Sequence, residues 1–257
     1  MGIVSGVLAQ RDPEMDSLPR WQLSLNVGPS VPVGKFGSRD INDAQAAFAK
    51  VGTVLDVTTA YRVGTHWGIS LALDGESHRV DDNVVGNRMD ALRATTHFYY
   101  GSTPWRIGRA LAGIFGEWPI GTDGHWEWTA GASAGVLVTA LPSVSILEGS
   151  ASSDGPTPLP SGGYEGTYFT DNNTIRFTLA YAGHLGFRYR LSPGVFVDLQ
   201  AEYTGAKLNT PYTKASLASQ VNAGADPNGG GTSTSEGSST PQPLSTVNAT
   251  LGLGLMF

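Results

Sequence analysis

Val247-Asn-Ala-Thr-Leu-Gly-Leu-Gly-Leu-Met-Phe257 alternates without a slip between apolar side chains and small or polar ones. Successive side chains of a β-strand point to opposite faces. Val247, Ala249, Leu251, Leu253, Leu255 and Phe257 therefore share one apolar face, and Asn248, Thr250, Gly252, Gly254 and Met256 share the other. A half-buried edge strand of a soluble sheet has the same period, so the fold turns on whether the pattern recurs upstream and how its copies are connected.

It recurs seven times. Trp21, Leu23, Leu25 and Val27 oppose Gln22, Ser24, Asn26 and Gly28. Leu55, Val57, Thr59 and Tyr61 oppose Asp56, Thr58, Ala60 and Arg62, and a tight Val63-Gly64-Thr65 link leads to Trp67, Ile69, Leu71 and Leu73 against His66, Gly68, Ser70, Ala72 and Asp74. The fourth segment, about residues 109 to 119, is irregular: Leu111 and Phe115 share parity with Arg109 and Glu117, which predicts a bulge. After a Gly121-Thr-Asp-Gly124 turn, Trp126, Trp128, Ala130, Ala132, Ala134, Val136 and Val138 face away from His125, Glu127, Thr129, Gly131, Ser133 and Gly135. Ile175, Phe177, Leu179, Tyr181, Leu185, Phe187 and Tyr189 oppose Arg176, Thr178, His184, Arg188 and Arg190. A Ser192-Pro-Gly194 turn then opens Val195, Val197, Leu199, Ala201 and Tyr203 against Asp198, Gln200, Glu202 and Thr204.

Links two-three, four-five and six-seven are short, whereas one-two, three-four, five-six and seven-eight are long. Closed as an antiparallel up-and-down barrel of eight strands, the chain puts every short turn beside the termini and every long loop opposite, the asymmetry of an outer-membrane barrel with periplasmic turns and extracellular loops. The expected organisation is an N-terminal tail over residues 1–19 and a transmembrane barrel over 20–257, with long extracellular loops at about 34–51, 76–108, 140–173 and 208–244. Trp21, Tyr61, Trp67, Trp118, Trp126, Tyr189 and Phe257 all fall near a terminus or a short turn, which predicts an aromatic belt at the periplasmic interface. A ten-stranded barrel would need two further strands; the stretch Ala91 to Tyr100 offers one, or a hairpin extending the barrel beyond the membrane.

Composition agrees. Gly is abundant at 34 residues, charged residues make up only 15%, and no apolar run approaches the length of a membrane helix, so any span is built from strands. The absence of Cys excludes disulfide frameworks, zinc-thiolate sites and cysteine nucleophiles. A net charge of −6 without a Lys/Arg cluster argues against nucleic acid as a partner. Gly2-Ile-Val-Ser-Gly-Val-Leu-Ala9 reads either as a signal-peptide remnant or as the start of a disordered tail.

The chain resembles the OmpA/OmpX-type eight-stranded outer-membrane barrels, and in pattern the outer-membrane β-barrel proteins of Bacteroidetes-like bacteria. Leu25-Asn-Val-Gly-Pro-Ser-Val-Pro-Val-Gly-Lys-Phe36 looks like that group's first strand with its Pro-x-Gly-x-Phe exit, followed by Ala47-Phe-Ala-Lys-Val-Gly52 and a strand ending at Tyr61. The resemblance implies fold and location but no single activity, because such barrels include structural, adhesive, protective and enzymatic members. It also implies that Leu251, Leu253, Leu255 and Phe257 resemble the signal read by the barrel-assembly machinery, a partner during biogenesis.

An eight-stranded barrel is narrow enough to be filled by side chains. The inward parity carries Asp56, Asp74, Glu127, Asp198 and Glu202 with Arg62, Arg176, Arg188 and Arg190, plus His66, His125 and His184. Buried charges persist only when paired, so these residues are expected to form a cross-strand network that fills the lumen. The expected role is structural or interactive through the surface loops; the alternatives are a narrow gated channel and a lipid-modifying enzyme. None of His66-Trp-Gly68, His125-Trp-Glu127 or His184-Leu-Gly186 supplies a Ser for a His-x-Ser pair, and Asp74, Ser77 and His78 form a chance-level triad. His125-x-Glu127 offers two metal ligands where three or four are needed, and Asp81-Asp-Asn83 lacks the rest of a calcium loop and reads as a solvated tip. No cofactor is expected.

Among the loops, Ile41-Asn-Asp-Ala-Gln-Ala-Ala-Phe-Ala-Lys50 reads as a short helix that could lie over the barrel mouth. Phe98-Tyr-Tyr100 and Trp105 suggest an upper interfacial belt or an anchor for a surface partner. Residues 150–163 and 223–240 are too poor in apolar side chains to order themselves. The expected partners are outer-membrane lipid and lipopolysaccharide, around a monomeric barrel.

Overall fold

The computed structural model describes residues 19–40, 43, 45–84, 87, 96–121, 125–142, 144–150, 157–158, 165–167, 175–209 and 241–257. Eight of its strands are β1 (Trp21–Pro32), β2 (Gly52–Arg62), β3 (Trp67–His78), β5 (Trp105–Ile120), β6 (Trp126–Ala140), β10 (Ile175–Ser192), β11 (Val195–Asn209) and β12 (Pro241–Met256). They close into one barrel in the order β1-β12-β11-β10-β6-β5-β3-β2, each antiparallel to both neighbours. This is the up-and-down arrangement, in which no sheet edge is left open. The seam is zipped by reciprocal bonds, Trp21 N donating to Phe257 O and Phe257 N to Trp21 O, both at 3.0 Å. Closure therefore pairs the first alternating segment with the last, Leu25 opposite Leu253 and Val27 opposite Leu251.

The short connections gather at the end that carries Trp21 and Phe257, here termed the lower end. Val63 and Gly64 donate to Trp67 O at 3.1 and 3.0 Å, Gly121 takes a left-handed φ of 76° after β5, and Pro193-Gly194 joins β10 to β11. The bulge expected in the fourth segment is not there. β5 runs in unbroken register with β3 and β6, and Leu111 and Phe115 point into the lumen beside Arg109 and Glu117. The register shifts instead at the lower end of β10, between Arg190 and Ser192.

Four further strands, β4 (Thr96–Ser102), β7 (Val144–Ser150), β8 (Thr157–Pro158) and β9 (Glu165–Thr167), form a second sheet. β4 pairs with β7 from Ser102 opposite Val144 to Thr96 opposite Ser150, so it continues the β5–β6 ladder past Pro104 and Pro142. Proline has no amide to give the ladder, and one on each strand separates the two sheets. This is the hairpin alternative for the Tyr100 stretch, and the barrel keeps eight strands. The N-terminal reading, most of residues 150–163 and 223–240, and the side chains of Phe98-Tyr-Tyr100 lie outside what the structure describes.

Candidate functional site

The two faces of the wall differ as the alternation requires. Outward residues such as Leu25, Val57, Leu71, Ile114, Leu179, Leu199 and Leu253 are exposed along the full height of the barrel, while their inward neighbours are buried or half-buried. At the lower end Trp21, Trp67, Trp118, Trp126 and Phe257 are exposed on the outer face, with Tyr61 and Tyr189 half-buried beside them. They pair as rings, Trp21 with Tyr61 at 4.9 Å and Trp126 with Tyr189 at 4.7 Å between centroids.

The lower lumen is filled by one bonded cluster. Glu117 accepts from Arg62 and from Arg188, and its Oε1 also takes the Gln22 Nε2 bond at 2.9 Å. Arg188 makes a fork onto Asp198, Nε to Oδ1 at 2.8 Å and Nη2 to Oδ2 at 3.0 Å, while its Nη1 reaches Gln22 Oε1 at 2.9 Å. Its guanidinium lies 3.9 Å over the ring of Phe196, which is fully buried. Two carboxylates and two guanidiniums thus pair with one another, the condition under which buried charge is tolerated, although Arg62 engages Glu117 through Nη2 alone and its Nε and Nη1 are buried without a hydrogen-bond partner among the described residues. Arg190 pairs with Glu127 beside this cluster.

A second cluster sits higher. Arg109 donates to Asp74 Oδ1 at 2.7 Å and pairs with Glu76, and it also donates to Thr204. Glu76 Oε1 accepts from Asn248 Nδ2 at 2.8 Å and from Thr246 Oγ1 at 3.2 Å, and Asn248 reaches Glu202 at 3.4 Å. Asp56 belongs to a smaller group, taking bonds from Asn26 at 2.6 Å and Thr58 at 3.0 Å.

Around and above the second cluster the lumen turns apolar. Phe36, Ala46, Ala47, Phe48, Ala49 and Val80 from two loops pack on inward Trp105, Ile107, Leu111, Leu137, Leu208 and Leu244. The plug is tied by its backbone: Ala47 N to Lys35 O at 3.1 Å, Ala49 N to Phe36 O at 3.2 Å, and Asp81 N to Phe48 O at 2.7 Å. Trp105 Nε1 donates to Ala47 O at 3.2 Å, and Gln242 Nε2 to Gln45 O at 2.8 Å. Residues 45–50 therefore lie in the barrel mouth, but as irregular chain with an Ala49–Val80 bridge rather than as the expected helix. Phe48 takes a left-handed φ of 53°, which a helix does not contain. Between plug and upper cluster remains a cavity of about 10 Å³ lined by Glu76, Arg109, Thr204 and Thr246 among others, roughly the room of one water.

The sequence-predicted residues distribute as follows. Arg62, Glu127, Arg188 and Asp198 are buried in the lumen, and Asp56, Asp74, Arg176, His184, Arg190 and Glu202 are half-buried on the inward face. His66 sits in the β2–β3 turn, its Nδ1 3.1 Å from Glu117 O. His125 does not join the network: it is exposed at the lower rim, with Nδ1 3.1 Å from Arg190 O and its ring 5.9 Å from Tyr189. Glu117, Arg109, Glu76, Gln22 and Asn248 were missed as site residues, although Glu117 and Arg109 shared parity with the apolar pair that obscured them. Trp105 is no belt residue, since it is wholly buried in the plug. Asp81 is no solvated tip either: it is 4% exposed and paired with Arg39 at 3.1 Å and Lys50 at 3.0 Å.

Ser77 faces outward, away from Asp74 and His78, so that trio cannot act together. His78 Nε2 does lie 3.3 Å from both Ser30 Oγ and Glu76 Oε2, with Nδ1 3.0 Å from Lys50 O. In a hydrolytic triad the carboxylate holds one ring nitrogen and the hydroxyl the other. Here both compete for Nε2, and all three side chains are buried beneath the plug.

No family model matches the chain, and no curated protein matches it. Solved structures with a similar course of strands include Neisserial surface protein A, at 11% identity over 92% of this chain and 97% of that one, with a TM-score of 0.40. The attachment invasion locus protein of Yersinia pestis gives 10% identity, coverage of 93% and 99%, and 0.41. The outer membrane protein OprG from Pseudomonas aeruginosa gives 12%, 93% and 97%, and 0.40. Likenesses of this size say nothing about activity, and the fold described above rests on the chain's own strand pairing.

Proposed function

We propose that the protein is a bacterial outer-membrane barrel with a structural or surface-interactive role, in which the wall is built for lipid and the lumen is built to stay shut. The observation that carries this reading is the contrast between the faces. An outer surface lined from rim to rim by leucine, valine and tryptophan has no aqueous equivalent, because contiguous apolar area of that extent drives association in water. A hydrocarbon layer with aromatic residues at its boundary is its natural solvent. The inner surface is closed twice, by a network of paired charges and by an apolar plug that water would have to displace.

Both termini and the short turns are read as periplasmic, and the plug and the β4–β7 sheet as lying on the outer side. The test is single-channel recording on purified full-length protein in planar bilayers, with fractionation of expressing cells as its partner. No conductance above leak, together with a heat-modifiable band in the outer-membrane fraction, is expected. Sustained conductance of open-porin size would overturn the closed-lumen reading, and small intermittent steps would favour the narrow channel. A band found in the soluble fraction would overturn the location.

A further inference from the structure

We infer that the outer wall carries a specific seat for one phosphate-bearing acylated lipid, the lipid A of the facing leaflet, across β2, β3 and β5 near the upper rim. The inference rests on the membrane reading above and adds a site to it.

Register places five outward residues side by side across β1, β2, β3, β5 and β6: Val27, Leu55, Gly75, Gly108 and Val138. The two glycines face each other directly, but a Cβ on Gly108 would meet Val138 Cγ1 at 3.2 Å, so the open floor is Gly75, beside the walls Leu55 and Val27. A Cβ built on Gly75 would meet nothing within 4 Å. Gly116 is covered by the Trp118 ring and Gly205 by the Tyr181 ring, so smallness there serves packing, whereas outward Gly183 is open like Gly75, a Cβ there meeting only Gly131 O at 3.8 Å. At Gly75 nothing from the described chain fills the space. The result is an open groove of about 500 Å³ lined by Val27, Thr53, Leu55, Gly75, Ser77 and Arg106.

The next row up is polar. Thr53, Ser77 and Arg106 stand opposite one another in register, directly above Leu55, Gly75 and Gly108. Arg79 lies two residues beyond Ser77, exposed like Arg106, and among the described residues no ion pair engages either guanidinium. An unpaired arginine on a lipid-facing wall is costly unless it finds an anion at the interface. Two guanidiniums beside two hydroxyls suit a phosphate, which accepts several charge-assisted bonds at once. An acyl chain, a single file of methylenes, fits a channel floored by glycine and walled by leucine and valine. The order towards the midplane is thus Arg79, then the row of Thr53, Ser77 and Arg106, then the apolar notch, which is the polar-to-apolar order of a phosphorylated lipid from headgroup to tail. Lipid A is chosen because the groove lies at the end away from the termini, where the location reading puts the outer leaflet.

Native mass spectrometry of the full-length protein in detergent tests this with three lipids: hexa-acylated lipid A, the same lipid with its phosphates removed, and phosphatidylglycerol. One retained lipid A per barrel is expected, with roughly tenfold weaker retention of the other two. A Cβ at position 75 meets nothing within 4 Å, so Gly75→Leu should occupy the notch and lower lipid A retention by a similar factor. The pair Arg79→Gln and Arg106→Gln should abolish the preference for the phosphorylated form. Equal retention of phosphatidylglycerol or of dephosphorylated lipid A would overturn the proposal, as would wild-type retention by Gly75→Leu. Heat-modifiable mobility of each variant establishes that it is folded, and a barrel that inserts yet retains no lipid A would refute the seat while leaving the membrane reading intact.

Discussion

Glu117 holds the lower lumen together because it is the carboxylate shared by two arginines. Removing its charge leaves Arg62 and Arg188 buried side by side with Asp198 as the remaining counter-ion of the cluster. Breaking a buried pair from one side costs about 3–5 kcal/mol, since the orphaned charge cannot reach water. Glu117→Gln is therefore expected to lower the unfolding free energy of the barrel, measured by urea titration in lipid vesicles, by an amount in that range. Glu127→Gln should cost less, because its partner Arg190 keeps 15% of its side chain exposed and can turn towards solvent. Equal losses for the two would mean that the network is not what stabilises the lumen. The same position explains a gap in the sequence reading. Glu117 lies on one parity with Phe115 and Leu111, so alternation alone made the segment look faulty. The inward rule "polar" fails wherever the lumen needs a ring. Phe115 packs where Gly68 has no side chain, and Phe196 where Gly254 has none. Each pairing of an inward aromatic with an inward glycine sits on a different strand, and one sequence does not reveal which glycine receives which ring.

At the scale of elements, the plug is separable from the network beneath it. Trp105 is wholly buried, packs edge-on to Phe36 at 5.4 Å and bonds Ala47 O. Trp105→Ala should cost about 3–5 kcal/mol and should raise amide exchange at Ala47 and Ala49, whose bonds to Lys35 and Phe36 hold the plug in place. Conductance should not appear, because Arg109, Glu76 and the lower cluster still close the lumen; a conducting Trp105→Ala barrel would make the plug the sole barrier. The plug's outer strap offers a pH handle. The hydrogen bond from Lys35 holds the Asp43 carboxyl below its ordinary value of 3.8, with a backbone bond from Gln45 adding to it. A depressed folded value gives a contribution that is complete above 3.8 and lost as pH falls through the lower value. The contribution is small and screened by salt, as for any exposed pair. Carboxyl carbon shifts should titrate Asp43 below 3.8, and Lys35→Gln should move the midpoint upward; an unmoved midpoint would show that Lys35 is not the cause. That the stretch reads as a helix from Ala-rich composition and folds otherwise is a tertiary effect. Burying Ala46, Ala47 and Ala49 beside Phe36 outweighs local propensity, at the cost of the left-handed backbone at Phe48.

At the scale of the whole molecule, the legible part of the sequence was the part in which two unlike surfaces meet across a wall one residue thick. Every strand of the barrel sets an exposed apolar parity against a packed, largely polar lumen, so strand count, closure and the sides of the short turns could be read from period two and the lengths of the links. The β4–β7 sheet and the plug answer to neither surface, and they left no comparable pattern. The same logic supplies a depth-dependent test. Leu253 lies outward on the wall, four residues in from Phe257, between Leu25 on β1 and Val197 on β11, whereas Val51 is 63% exposed just beyond the upper end of β2. Arginine facing hydrocarbon at the midplane costs about 2–4 kcal/mol, falling to about 0–1 near the interface. Leu253→Arg should therefore destabilise the vesicle-inserted barrel by the larger amount and Val51→Arg by the smaller. In water the ordering would disappear, because both positions are exposed and an added charge at either would only improve solubility. Urea titrations of the two variants in vesicles thus measure which solvent the wall was selected for, and equal, near-zero costs would remove the lipid from the reading altogether.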